Sequence, residues 1–430
     1  MRLRSTLLVL AAPLAIIAAC TGVDGGKSNF GEGTGGGTTS GDGGTGTGGS
    51  SSTGSGMAGF DPGSGGGSSS SGGPCNAGPD EDQDQDGFTI TQGDCNDCDA
   101  NVNPNAVEVI GEEGQGGGPY VPADENCDGQ DDELPQSCDS QIPVDAMDPM
   151  DAARAVGLCK ISSAPNDWGV YMVGWVLPNG TLPPNDPNYH LGHGVVTGFG
   201  PNVNVQEGTA MLALSSGTAR QPNDPGWQSP GGFSKNIMGT GHPFGFPKES
   251  PSCGSAVTGS CNDGAALEVV LRAPSNAHGF SFDFDFYTFE WPVFVCSTYN
   301  DFFAAILEPF PQGQQDGNIT FDQLNNPISV NNAFFEVCGC SGGPPCLAGG
   351  INFTCALGTT ELQGTGFEDH AATSWLQTQA PVTPGSEFTI RWLAYDSGDG
   401  VLDSTALVDN WEWIAEPGTN VGTEPVPNPR

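Results

Sequence analysis

Three acids at alternate positions, Asp82, Asp84 and Asp86, are followed directly by Gly87 and Phe88. This spacing turns oxygens at loop positions one, three and five toward one centre. Gly at position six allows the sharp turn, and the next backbone carbonyl, that of Phe88, adds a further oxygen. Such a set suits Ca²⁺, a hard cation that takes several oxygens with modest geometric precision. Position twelve is Gly93 rather than the bidentate Glu of an EF-hand, so closure of the site falls to Asp94, Asp97 and Asp99. The plain alternative, a solvated acidic spacer, does not account for the ordered placing of Asp-Gly and cysteine.

The loop belongs to a longer pattern: Asp82-x-Asp84-x-Asp86-Gly87-Phe88, Gly93-Asp94-Cys95-Asn96-Asp97, Val102-Asn-Pro104-Asn-Ala106-Val107-Glu108 and Asp124-Glu-Asn126-Cys127-Asp128-Gly129-Gln-Asp131-Asp132. Over residues 82–133 it resembles the MopE-type metal-binding motif of bacterial surface proteins. The resemblance implies a Cys95–Cys127 bridge and Asp-lined sites, Asp128 among them, in the style of thrombospondin type 3 repeats. The chain departs from it by an extra Cys98, for which Cys75 is the expected partner, and by a Gly-rich insertion from Gly111 to Pro119. The family also invokes copper. No His or Met lies in the motif, so oxygen ligands favour calcium. Zinc at Cys95-Asn-Asp-Cys98 ranks below a disulfide, because the surrounding ligands are hard oxygens and no matching Cys/His pair follows.

A second group of polar residues lies further on, in turns that follow strand-like runs: Glu290, Asn300, Asp301, Asp396, Asp399 and Asp403. They are read either as a second metal site or as caps of turns, which Asp and Asn often are. Phe280-Ser-Phe-Asp-Phe-Asp-Phe-Tyr-Thr-Phe-Glu290-Trp-Pro, Tyr299-Asn300-Asp301-Phe302-Phe303 and Tyr395-Asp396-Ser-Gly-Asp399-Gly-Val-Leu-Asp403-Ser404 resemble the choice-of-anchor L family of bacterial surface domains, over roughly residues 190–415, with Trp291 where Tyr is commoner. The resemblance implies a β-sandwich with no established enzymatic role.

Catalytic readings are weaker. His190-Leu-Gly-His193 sits in a Gly-rich turn with no Glu between the rings, and Gly339-Cys340-Ser341-Gly342-Gly343 matches GxSxG in a cysteine-crowded loop rather than a strand-to-helix turn. Glu290 with Asp301, or Asp283 with Asp285, pair as glycosidase carboxylates only in a general sense. Trp227, Trp291, Trp375 and Trp411 suit sugar stacking if exposed and core packing if not. The expected protein is therefore not an enzyme. Its alternatives are a secreted polysaccharide hydrolase, a carbohydrate-binding module, or a surface scavenger of copper or other divalent metals.

The elements that must position these residues are mainly β. Val170–Val176, Leu267–Leu271 and Phe388–Tyr395 are rich in branched and aromatic residues. In Phe280–Phe286 a period of two puts the four Phe on a core face, and Ser281, Asp283 and Asp285 on a face expected to be wet. One helix is expected, capped by Asp148, with Pro149 in its first turn, continuing from Ala152 to Leu158 and bracketed by a Cys138–Cys159 pair. The fold class is an antiparallel, jelly-roll-like β-sandwich over 138–415. It is preceded by a loop-rich Asp/Cys module at 75–137, held by disulfides and calcium because it has little to bury, and followed by a tail at 416–430.

Upstream, Arg2, Arg4 and the apolar run Leu7–Ala19 read as a signal segment (1–19), ending at Cys20 in a lipobox-like Ile17-Ala-Ala-Cys20 that marks the thiol for a lipid. Residues 20–74, Gly/Ser-rich, form an expected flexible tether with an end-to-end distance of about 40 Å. The envelope is the expected location, leaning to the outer membrane because Thr21 is not an Asp retention signal. Besides Cys20 the chain has 13 of its 14 cysteines to pair, leaving one over. A net charge of −40 makes nucleic acid a poor partner and divalent cations good ones. The expected partners are the membrane, through Cys20, and a surface polysaccharide or protein, with the Asp module as a metal-stiffened stalk.

Overall fold

In the computed structural model, residues 77–110, 122–254, 259–332 and 334–430 are described. The expected signal segment 1–19, Cys20, the stretch 20–74, Cys75 and the Gly-rich insertion lie outside them. Two antiparallel sheets face one another. The first contains β1 (Gly169–Val176), β4 (Cys261–Arg272), β6 (Phe302–Glu308) and β12 (Glu387–Ser397), in the order β1-β4-β12-β6. The second contains β2 (His193–Val196), β3 (Met211–Ser215), β5 (Gly279–Thr288), β11 (Leu376–Pro381), β13 (Ser404–Ile414) and β14 (Gly422–Pro425), in the order β14-β11-β5-β13-β3-β2. The short strands β7 (Val337–Cys338) and β10 (Ala371–Ala372) extend it at β5, while β8 (Cys346–Ala348) and β9 (Ile351–Phe353) form a separate hairpin. The expected sandwich is present. Its edge reaches into the segment expected to be tail, since β14 pairs with β11.

The core between the sheets follows from alternation. Leu267, Val269 and Leu271 of β4, with Ile390 and Trp392 of β12, meet Phe280, Phe282, Phe284 and Phe286 of β5. Phe282 meets the Trp392 ring edge to face at 5.6 Å, Phe284 packs on Phe303 at 4.7 Å, and Phe280 stacks on Trp411 at 4.3 Å. Large buried rings of this kind dominate core energetics.

The other face of β5 is not wet. Ser281, Asp283 and Asp285 are 4%, 2% and 0% exposed, because a second apolar cluster covers that face, with Phe199, Tyr287, Leu362, Phe367 and Trp375 at its centre. The polar residues beneath it are paired. Asp283 accepts from Gln377 Nε2 (3.1 Å) and Asn410 Nδ2 (3.0 Å), and Asp285 from Thr373 Oγ1 (3.1 Å). Asp409, on β13, accepts from the backbone N–H groups of Gln206 (2.6 Å) and Asn410 (2.7 Å). Burial pushes Asp283 up to about 6 and Asp409 up to about 8. Alternation alone reports which residues share a face, and a long connection decides whether water reaches it.

The helix α1 (Pro149–Ala155) has Asp148 at its cap, accepting from Met150 N. It stops short of the expected Leu158, because Gly157 takes a left-handed φ of 105° and Trp411 N bonds the Val156 carbonyl. Cys138–Cys159 closes the segment as expected, with Cys253–Cys296, Cys338–Cys355 and Cys340–Cys346 further along. Cys261 is the free thiol among the described residues, buried at the start of β4.

Phe282→Ala removes a ring from the centre of the core and is expected to destabilise the sandwich by about 3–5 kcal/mol, read from denaturant unfolding. The buried acids predict a pH slope. A carboxyl whose folded pKa is raised holds its proton in the native state after the unfolded chain, near 3.9, has lost it, so its contribution to stability falls as pH rises through the folded pKa. His193, pushed down to about 3 chiefly by burial, contributes the opposite slope, but only below the unfolded value near 6.5. Between about pH 6.5 and 8, at a fixed excess of calcium, stability is expected to fall on the order of 1 kcal/mol as Asp409 ionises. A flat or rising urea midpoint across that window contradicts this assignment.

Candidate cation sites

Every acid of the first loop spends at least one oxygen on the backbone, and Asp82 spends both. Asp82 Oδ1 and Oδ2 accept from Gln85 N (2.7 Å) and Gly87 N (3.1 Å), Asp84 Oδ1 from Asp86 N (3.2 Å), and Asp86 Oδ1 from Phe88 N (2.8 Å). Gly87, with φ of 99°, makes the turn that brings them round. Asp94 Oδ1 accepts from Asn96 N (2.8 Å) and Asp97 Oδ1 from Gln83 N (3.0 Å). The second oxygens of Asp84, Asp86, Asp94 and Asp97 are buried and have no protein partner. Asp94 and Asp97 are themselves only 3% and 2% exposed.

Carboxylate oxygens of Asp82, Asp84 and Asp86 lie within 4.8 Å of one another, as do those of Asp84, Asp94 and Asp97, so Asp84 joins two halves of one five-acid cluster. A separation of that size matches two Ca–O bonds of about 2.4 Å meeting at one ion. Burial and then the neighbouring acids push Asp86 up to about 6, and Asp84 and Asp94 upward. No Lys, Arg or His occurs between residues 77 and 137 to answer this charge.

Two expected ligands stand apart. Asp99 Oδ1 accepts from Asn101 N (3.2 Å) and Asn101 Nδ2 (3.1 Å), and belongs to no such grouping. Asp128 sits in a second loop that repeats the first: Asp124 Oδ2 accepts from Gly129 N (2.9 Å) as Asp82 does from Gly87, and Asp128 Oδ1 from Gln130 N (2.9 Å) as Asp86 does from Phe88. Beside it Glu108, Glu125 and Asp132 form a third grouping within 4.8 Å, with Glu108 pushed up to about 7 by burial first and then by Glu133 and Glu125. These three were not expected as ligands. The repetition of Asp-x-Asp/Asn-x-Asp-Gly at residues 82 and 124 marks the second loop, but none of these three acids is a position of the repeat. Cys95–Cys127 ties the two loops together as expected, and Cys98 is also disulfide-bonded, which leaves no thiolate of this pair for zinc.

The module is docked rather than free-standing. Val107 N donates to Asn276 Oδ1 (3.0 Å) and Asn276 Nδ2 returns a bond to the Val107 carbonyl (2.8 Å). Ser275 N donates to the Asn105 carbonyl (2.9 Å), and Ser275 Oγ to Asn103 Oδ1 (2.7 Å). The contact falls on the turn between β4 and β5, so the expected stalk is a cap fixed to the sandwich.

The distal acids converge at one end of the sandwich. Antiparallel pairing sets Thr288 of β5 beside Ser404 of β13, and Phe302 of β6 beside Tyr395 of β12. Glu290 and Asp403 therefore leave one sheet where Asp301 and Asp396 leave the other. Glu290, Asn300, Asp301, Asp396 and Asp403 are each at most 2% exposed, whereas Asp399 is exposed. Two further residues, Asp263 and Lys235, lie among them without having been expected. Asp263 is satisfied by Ser234 Oγ and the N–H groups of Lys235 and Ile237, while Lys235 Nζ binds the carbonyls of Ser215, Ser216 and Gly217.

The catalytic arrangements do not assemble. His193 stacks on Trp175 at 3.7 Å and His190 lies 3.8 Å from Asp145, so the two rings serve separate contacts. The Gly339–Gly343 loop is pinned by Cys338–Cys355 and Cys340–Cys346. Trp291, Trp375 and Trp411 are buried core residues.

Residues 210–410 match the family model of the Choice-of-anchor L domain. No curated protein matches the chain. The matched segment runs from β3 into β13 and contains all six of the distal polar residues, while β1, β2 and β14 complete the sheets from outside it. The match indicates no enzyme family and points to a protein of the bacterial cell surface. No helix among the described residues is long and apolar enough to cross a membrane.

Asn276→Ala deletes both reciprocal bonds to Val107. Limited proteolysis is expected to cut the 77–137 region faster in this variant, with the denaturant midpoint of the sandwich moved little; unchanged cleavage argues that other contacts hold the module.

Proposed function

We propose that this chain is a calcium-binding protein of the bacterial cell surface, held there by a lipid on Cys20, in which the Asp module is a cation-dependent cap and the β-sandwich serves adhesion or recognition. One observation carries the calcium reading. Five acids, Asp82, Asp84, Asp86, Asp94 and Asp97, gather in a segment without a basic residue, and four of them aim an unpartnered oxygen inward. The donors are all hard oxygens, which favours Ca²⁺ over copper or zinc. The backbone N–H bonds that hold the opposite oxygens fix each carboxylate in place, so the ion orders the loop by relieving repulsion rather than by dragging side chains together.

The coupling to folding is direct. An ion that binds the native loop and not the unfolded one stabilises it by RT ln(1 + [L]/Kd), about 2.7 kcal/mol at a hundredfold excess over Kd. With little core of its own, the module depends on this term, while Cys95–Cys127 survives loss of the ion. The sandwich presents the rest of its surface to a polysaccharide or protein ligand, and the lipid holds the assembly at the outer membrane.

Chelation of the full chain is expected to open residues 77–137 to protease, with calcium restoring protection and magnesium doing so weakly. Asp84→Asn/Asp97→Asn is expected to behave as chelated protein whatever the calcium concentration. Equal protection of the unaltered chain with and without chelator overturns the reading, and copper in protein purified without added metal replaces calcium by the scavenger alternative.

A further inference from the structure

The end of the sandwich holds an arrangement that turn capping does not account for. A capping Asp spends its oxygens on nearby N–H groups, as Asp263 does. Here Glu290 Oε2, Asp301 Oδ2, both oxygens of Asp396, Asp403 Oδ2 and both amide atoms of Asn300 are buried and make no well-formed hydrogen bond within the protein, although the backbone N–H groups of Asp399 and Val401 lie close to Asp396 and that of Asp301 close to Glu290. Buried polar atoms are nearly always satisfied, so such a concentration in one place calls for a ligand. These groups interact with one another: Asp301 is influenced by Asp396, Glu290 and Asp403, and Glu290 by Asp396. Among the described residues the buried cation nearby, Lys235, donates its ammonium group to three carbonyls; it is near enough to Asp403 and Asp396 to offset part of their repulsion but forms a salt bridge with neither. A register shift in the pairing of β12 with β4, between Ala394 and Asp396, falls at the strand end that carries Asp396.

We infer that Glu290, Asn300, Asp301, Asp396 and Asp403 form a second, buried Ca²⁺ site that clasps the two sheets at one end of the sandwich. The donor set is again all oxygen. Among the described residues, the groupings with three carboxylate oxygens within 4.8 Å are all in the Asp module. The sandwich site therefore ligates the ion through fewer carboxylates at once, with the Asn300 amide oxygen and water completing a set of six to eight. Glu290 and Asp403 leave β5 and enter β13, and Asp301 and Asp396 enter β6 and leave β12, so one ion links strands of both sheets. The site stands independently of the Asp module, and its test uses a background in which that module is disabled.

Three full-length proteins decide the matter: Asp84→Asn/Asp97→Asn/Glu108→Gln, which disables both groupings of the module, the same with Asp301→Asn added, and the same with Asp396→Asn added. In the first, calcium over chelator is expected to raise Tm on the order of 5 °C at a hundredfold excess over Kd. In the other two that rise is expected to disappear, while Tm in chelator stays level or increases because a buried repulsive charge has gone. Terbium gives a second readout, since Trp291 is adjacent to Glu290 and residues 77–137 contain no tryptophan. Tryptophan-sensitised terbium emission is expected from the first protein and not from the other two. Calcium leaving Tm unmoved in the first protein, or raising it equally in all three, overturns the site, as does terbium emission indifferent to Asp301→Asn. Failure of the Asp module alone appears instead as unaltered proteolysis of residues 77–137 and leaves these outcomes untouched.

Discussion

An ionised carboxylate taken out of water loses hydration worth several kcal/mol unless an opposite charge or a set of donors replaces it. This chain has 51 acidic residues and 11 basic ones. Its few cations are placed where they cannot serve most of the buried acids. Arg391 pairs with Glu268 across β12 and β4, Arg220 with Asp145, Lys248 with the buried Asp316, and Lys235 satisfies carbonyls. Every other buried acid is held by neutral donors or left with an oxygen to spare, and the architecture divides along that line.

On the outer face of β5 the answer is neutral donors. Asp283, Asp285 and Asp409 draw on side-chain amides, a hydroxyl and backbone N–H groups, and their raised pKa values mean that a proton supplies what the donors do not. In the Asp module and at the sandwich end, the spare oxygens converge instead. The difference is geometric. Acids at alternate positions of a strand stand about 7 Å apart along it. Acids in a loop with Gly at the bend are brought round to a common point, and those at the ends of paired strands are brought within electrostatic reach of one another.

That distinction also explains what could be read from residue order. The five acids around Asp84, the Cys138–Cys159 pair, the cap at Asp148 and the core-facing Phe of β5 follow from local spacing, and Cys95–Cys127 from the MopE-type resemblance; the structure places them so. The wet face expected for Asp283 and Asp285 failed because residues 359–375 return to cover it, a contact between positions some eighty residues apart. The grouping of Glu108, Glu125 and Asp132 was hidden for a milder reason. Its loop repeats the first with Asn126 where Asp84 stands, and its acids come from both sides of the insertion. At the sandwich end, spacing showed that the polar residues follow strands. Only the strand order brings the two sheets' contributions together, and it leaves Asp399 outside.

Docking of the module adds a consequence that neither loop shows alone. The bonds between Asn103–Val107 and Ser275–Asn276 involve amides, a hydroxyl and backbone groups, none of which carries a charge. Attachment of the cap to the sandwich is therefore independent of charge, while order within the cap depends on it. On the proposed calcium reading, withdrawal of cations loosens the acid loops on a fixed base. Because Asn276 lies just before β5, the strand that leads to Glu290, the module and the buried acids are mounted at opposite ends of one strand. A rigid β5, packed on both faces, can hold both without transmitting the state of one to the other.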